Sequence, residues 1–118
     1  MAWAKKPIDR MEMLHLLGVI YAQTVVGFGK VALEKLIREK GRSTVKTKAE
    51  AIRTALSRCG VLIYEKNGKG RRYKWNMKEW GPPSLLVADA VIVATELFIR
   101  KKANAARASK VRIINASA

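Results

Sequence analysis

Between Arg42 and Asn76 the chain reads RSTVKTKAEAIRTALSRCGVLIYEKNGKGRRYKWN, and the order of signals in this stretch decides the fold. Thr47-Lys48-Ala49-Glu50 has the spacing of a capping box, so a helix is expected from near Lys48 to Gly60. Ala49, Ile52, Ala55, Leu56 and Cys59 recur at helical spacing and form its inward face. Lys48, Arg53, Thr54, Ser57 and Arg58 fall outward, a mixture of short polar groups and arginines able to meet base edges and phosphates. Two β-branched and aromatic runs follow, 61–66 and 71–76, joined by Asn67-Gly68-Lys69-Gly70, which predicts a hairpin. In the second run Tyr73 and Trp75 share one face, while Arg72 and Lys74 share the other. The aromatic pair fits packing against the helices, with stacking on single-stranded bases as the alternative. Lys66, Lys69, Arg71, Arg72 and Lys74 then line a projecting arm suited to phosphates or a minor groove.

Upstream, Asp9 and Glu12 form another capping pair, and a helix is expected over 10–26. Its apolar residues, Met11, Met13, Leu14, Leu16, Leu17, Val19, Ile20, Tyr21, Val25 and Val26, go nearly all the way round, which suits a central core helix or a subunit interface. Gly27-Phe28-Gly29 interrupts the pattern, with Phe28 read as a core plug. A second helix over 30–40 carries Val31, Leu33, Leu36 and Ile37 inward and ends at Gly41. The segment Arg42-Ser43-Thr44-Val45-Lys46 reads as a turn that, with Thr47, brings polar groups up to a nucleic acid. Gly27-Phe28-Gly29-Lys30 lacks both the glycine spacing and the Ser or Thr that a phosphate loop needs.

Downstream, Gly81-Pro82-Pro83 forces a break, and Ser84 caps a further helix through Ile99 and on to about residue 108. Leu85, Leu86, Val91, Ile92, Leu97 and Phe98 cover more than one face of it. A 118-residue monomer has little interior to hide two such helices, so the expectation is a homodimer with this helix at the interface. The last ten residues, 109–118, form a basic tail, either helical or a flexible arm, with a short strand at Val111-Arg112-Ile113-Ile114 as a further option.

Charge sharpens the picture. The 118 residues carry 24 Lys and Arg against 9 Asp and Glu, a formal net charge of +15, with 49% hydrophobic content that permits a real core. Solubility needs far less charge, so an anionic partner is implied. The excess is concentrated in 42–76, with ten cations and two acids, and in 100–118, with six cations and none. The one histidine, His15, lies in an apolar helix and reads as a core residue; the acids form no catalytic pair, and the single Cys59 has no metal or disulfide partner. An enzyme, a cofactor and a metal site are therefore not expected. Glu12 and His15 interrupt one apolar run, Asp89 and Glu96 the other, and both are too short to span a bilayer, so a soluble, cytoplasmic, nucleoid-associated protein is expected, with no membrane partner.

The order helix, helix, turn, capped helix, glycine-tipped hairpin over Asp9 to Asn76 resembles the winged helix-turn-helix superfamily. Gly60-Val61-Leu62-Ile63-Tyr64 matches that family's passage from recognition helix to first wing strand. The resemblance implies a mainly α fold with a small β-hairpin wing plus a C-terminal dimerisation helix. It also implies a third helix in the major groove, through Lys48, Arg53, Thr54, Ser57 and Arg58, and a wing on the flanking backbone or minor groove, through Lys69, Arg71 and Arg72. The linker from Gly41 to Lys46 is longer than the tight turn of compact members. The expected partner is double-stranded DNA, and the expected role a dimeric transcriptional regulator; an architectural DNA-coating protein and an RNA-binding ribonucleoprotein subunit are the alternatives.

Overall fold

The computed structural model describes residues 7–26, 30–41, 43–67 and 70–117. The chain folds as helices α1 (Arg10–Val26), α2 (Lys30–Lys40), α3 (Ser43–Lys46) and α4 (Ala49–Arg58), strands β1 (Leu62–Asn67) and β2 (Gly70–Trp75), then helices α5 (Met77–Trp80) and α6 (Leu85–Ser117). It is mainly helical with one two-stranded antiparallel hairpin.

Helix α1 starts on Asp9, whose Oδ1 accepts the Glu12 N–H at 3.0 Å. The return half of the expected box is missing, because Glu12 is used elsewhere. Its carboxylate accepts the Thr44 N–H at 3.1 Å and the Thr44 hydroxyl, and Thr44 Oγ1 in turn accepts the Asp9 N–H at 3.0 Å. The cap is thus closed through a residue more than thirty positions away, which ties the start of α1 to α3. One face of α1, Met13, Leu16, Leu17 and Ile20, is fully buried. The opposite face is not: Met11 is 62% and Val25 80% exposed, and His15, Gly18 and Ala22 lie beside them in solvent. His15 is therefore a surface residue rather than a core one, and α1 is not enclosed on all sides. Phe28 lies outside the described residues.

Leu33 and Ile37 of α2 complete the next layer. Gly41 is required here by close approach, since a Cβ would stand 2.4 Å from the Ile37 carbonyl and 2.8 Å from Val45 Cγ2. The expected turn after it is a single helical turn, α3, because Val45 is drawn into the core at 0% exposure. Helix α4 begins at Ala49 with Lys48 at its cap and no side-chain hydrogen bond there, so the Thr47–Glu50 box does not form. Ala49, Ile52, Ala55 and Leu56 are buried as expected, Cys59 is half-buried, and Ala51 is buried as well.

Gly60, at φ +75°, closes α4 in the left-handed conformation that a side chain would strain. Its N–H bonds Ser57 O, the Val61 N–H bonds Leu56 O, and Leu56 and Val61 pack together in the core, the pairing of a Schellman stop. The hairpin then pairs Leu62 with Trp75, Tyr64 with Tyr73 and Asn67 with Gly70. Asn67 therefore ends β1 instead of entering the turn, and Gly68 and Lys69 lie outside the described residues. Tyr73 and Trp75 are buried, with Trp75 edge-on to Tyr21 at 5.4 Å between ring centroids. Trp75 Nε1 donates to Gly81 O, Trp80 Nε1 to Cys59 O, and Asn76 Nδ2 to Gly60 O, so both ends of the hairpin are fastened to the end of α4.

Ser84 Oγ accepts the Val87 N–H, long at 3.4 Å, at the start of α6. Val87, Ala88 and Val91 of α6 enter the same core, and Thr95, also buried, donates its hydroxyl to Val91 O. The bidentate pair of Arg10 with Asp89, at 2.8 and 3.0 Å, joins α6 to the start of α1. Beyond Ile99 the helix does not stop; it runs unbroken to Ser117, taking up 109–117 and excluding a strand at 111–114.

Candidate nucleic-acid interface

Helical spacing on α4 sets the buried residues against an outward arc made by Arg53, Ser57, Glu50, Thr54 and Arg58. The two sides of this arc are bordered by different helices. On one side Arg53 Nε lies 3.9 Å from Glu34 Oε1 of α2, and the Arg53 side chain keeps only 20% of its exposure. On the other, the Arg58 guanidinium stacks 5.4 Å from the ring centre of Phe98 on α6, and Lys102 Nζ sits 3.4 Å from Glu50 Oε1. Thr54 turns its hydroxyl back on Glu50 O at 3.0 Å. Ser57 is exposed.

The segment before α4 divides. Thr44, expected at the interface, is buried and serves the α1 cap, which removes it from any outer surface. Lys46 and Thr47 are exposed, and Lys48 is half-buried. Arg42 lies outside the described residues, as do the side chains of Ser43 and Arg71.

On the hairpin, Lys66, Arg72 and Lys74 are exposed. The register separates them: Lys66 lies on the face shared with Tyr64 and Tyr73, whereas Arg72 and Lys74 stand on the other, opposite Glu65 and Ile63. The arm is therefore basic on both faces rather than along one edge. Because its inner face is committed to burial of Tyr73 and Trp75, those rings are closed to bases.

Sequence reading missed Glu50 and Lys102 as members of this surface. Their contact spans 52 residues, and no local pattern announces it. Between the start of α4 and α6 lies a cleft of about 440 Å³, with Phe98, Ile99, Ala103 and Ala106 as its apolar wall and Arg38, Lys48 and Lys102 on its rim. At the other end of α4, partial burial pushes the Cys59 thiol above its ordinary range, which favours its protonated form.

No protein-family model, curated protein or solved structure is similar to this chain. Among the described residues no helix is long and apolar enough to cross a membrane.

Proposed function

We propose that this protein binds double-stranded DNA in the manner of a winged helix, with α4 toward the major groove and the β1–β2 hairpin as the wing. The observation that carries the reading is the rigid coupling of a basic hairpin to the end of a helix whose outer arc is polar. Trp80, Asn76 and the Gly60 stop fasten the hairpin to the end of α4, which supports joint contact of both with one duplex without reordering.

The tethering of the arc favours gripping over reading. Bidentate contact with guanine needs an arginine free to extend, and Arg53 and Arg58 are each drawn to a neighbouring helix while Glu50 occupies the middle of the arc. The basic residues of the wing bind phosphates without that requirement. The architectural role is accordingly supported over the sequence-specific regulator.

Competition binding tests this. An architectural binder holds unrelated duplexes with near-equal affinity and a steep salt dependence. A preference of about 10³-fold or more for one short site would restore the regulator, and preference for folded RNA over every duplex would overturn the DNA reading.

The chain is also proposed to pair with a second copy through α6, though not through all the residues first expected. Val91 is fully buried within the monomer, and Ile92 and Phe98 are half-buried, Ile92 against the core and Phe98 beneath Arg58, because the core and α4 take up that side of the helix. What remains outward is Leu86, Val93 and Leu97, at 74, 57 and 46% exposure, with Leu85 at 37% to one side. With Ala90 between them the spacing is 4-3-4, the seam of a helix pair.

A further inference from the structure

Residues 100–106 of α6 take no part in the core. Residues 100–106 are all exposed, and the helix continues from there to Ser117. Eighteen residues from Arg100 to Ser117 make a rod roughly 27 Å long at 1.5 Å per residue. After Glu96 the chain has six cations and no acid. Such a helix lacks opposite-charge pairs along its surface, and its like charges repel one another. A polyanion removes that repulsion; a second copy of the same basic rod adds to it.

The position of the rod narrows the choice further. Lys102 meets Glu50 in the middle of the outward arc of α4, and Phe98 lies under Arg58 at the edge of that arc. The rod therefore leaves the molecule beside the surface that α4 presents, not behind it. Arg100, Lys101 and Lys102 stand exposed at its start.

We infer that the C-terminal half of α6 is a third DNA-contacting element, laid along the phosphate backbone next to the stretch that α4 and the hairpin occupy. The inference rests on the DNA reading proposed above and extends it to a surface outside the winged-helix unit. At roughly 3.4 Å per base pair, a 27 Å rod covers about eight base pairs beyond the α4 and hairpin site.

The test uses the full-length chain carrying Arg107→Gln, Lys110→Gln and Arg112→Gln together. Glutamine keeps helix propensity while removing charge, and circular dichroism confirms that the helix is retained. Relative to the unaltered protein, the slope of log affinity against log salt falls by about 2 to 3 units, at about 0.9 per lost phosphate contact, and the hydroxyl-radical footprint shortens on one side. If the unaltered protein binds duplex and the triple variant keeps the same slope and footprint, the arm is not an interface and the inference alone is lost. If the unaltered protein does not bind duplex, the DNA reading itself is lost. A variant that changes sedimentation behaviour but not DNA affinity assigns the rod to protein contacts and overturns the inference.

Discussion

Thr44 shows how one residue changes meaning once its surroundings are known. Its hydroxyl accepts from the Asp9 N–H and donates to Glu12, and its own N–H reaches the same carboxylate, so three hydrogen bonds of the α1 cap depend on it. Thr44→Val keeps the volume and removes the hydroxyl, leaving the Asp9 N–H and one side of Glu12 without partners. A loss of about 1 to 3 kcal/mol in urea unfolding is expected, with duplex affinity unchanged when measured on folded protein. A drop in affinity at full stability would return Thr44 to the interface. Cys59 carries a second residue-scale expectation. Since burial raises its pKa in the folded state, the folded protein keeps the proton longer than the unfolded chain does. The resulting stabilisation is complete below the ordinary thiol range and is lost as pH rises from that range through the raised value of the folded protein. Iodoacetamide should accordingly label Cys59 more slowly in native than in urea-unfolded protein at the same pH; equal rates would contradict the burial.

At the scale of elements, the proposed interface divides unequally between α4 and the hairpin. Arg53→Gln is expected to leave relative affinities for unrelated duplexes unchanged and to lower them all slightly, because Arg53 is drawn toward Glu34. A selective change at one base position, read by competition against a randomised site, would show that α4 reads sequence. Arg71→Ala with Arg72→Ala should lower the salt slope by about one unit per lost phosphate contact for every duplex tested. An unaltered slope takes the hairpin out of the interface. The bounds of α1 and α2 and the existence of the hairpin were legible because each rests on adjacent signals: Asp9 before an apolar run, Gly41 after one, Asn67-Gly68 between two β-branched stretches. The one-turn helix α3 was not legible. Four residues carry no period of their own, and it is Val45 finding space in the core that winds them.

Across the whole molecule the question is which apolar surfaces the monomer covers. Helices α1 and α6 looked alike in sequence, each too apolar for a surface helix, and each turns out to bury one face and expose another. Leu86→Glu with Val93→Glu should therefore leave the fold intact, judged by unfolding midpoint, and convert a dimer to a monomer in sedimentation velocity. A monomer already present in the unaltered protein removes the pairing through α6. Val91→Glu should instead unfold the chain, because that side chain is fully buried within one copy.

Composition and local pattern settle the basic character of this protein, its helix and hairpin order, and the inward faces of α4 and β2. These follow from forces that act between near neighbours along the chain: backbone capping, turn preference and side-chain periodicity. Only the tertiary structure decides which polar groups remain available. Thr44 is drawn into a cap, Arg53 and Arg58 toward two different helices, and Glu50 onto Lys102, each by a partner nineteen to fifty-two residues away. Electrostatic attraction and burial act through space, so a residue type that suits a phosphate also suits a carboxylate or an aromatic ring. Which of them it meets is set by the packing of α2 and α6 around α4.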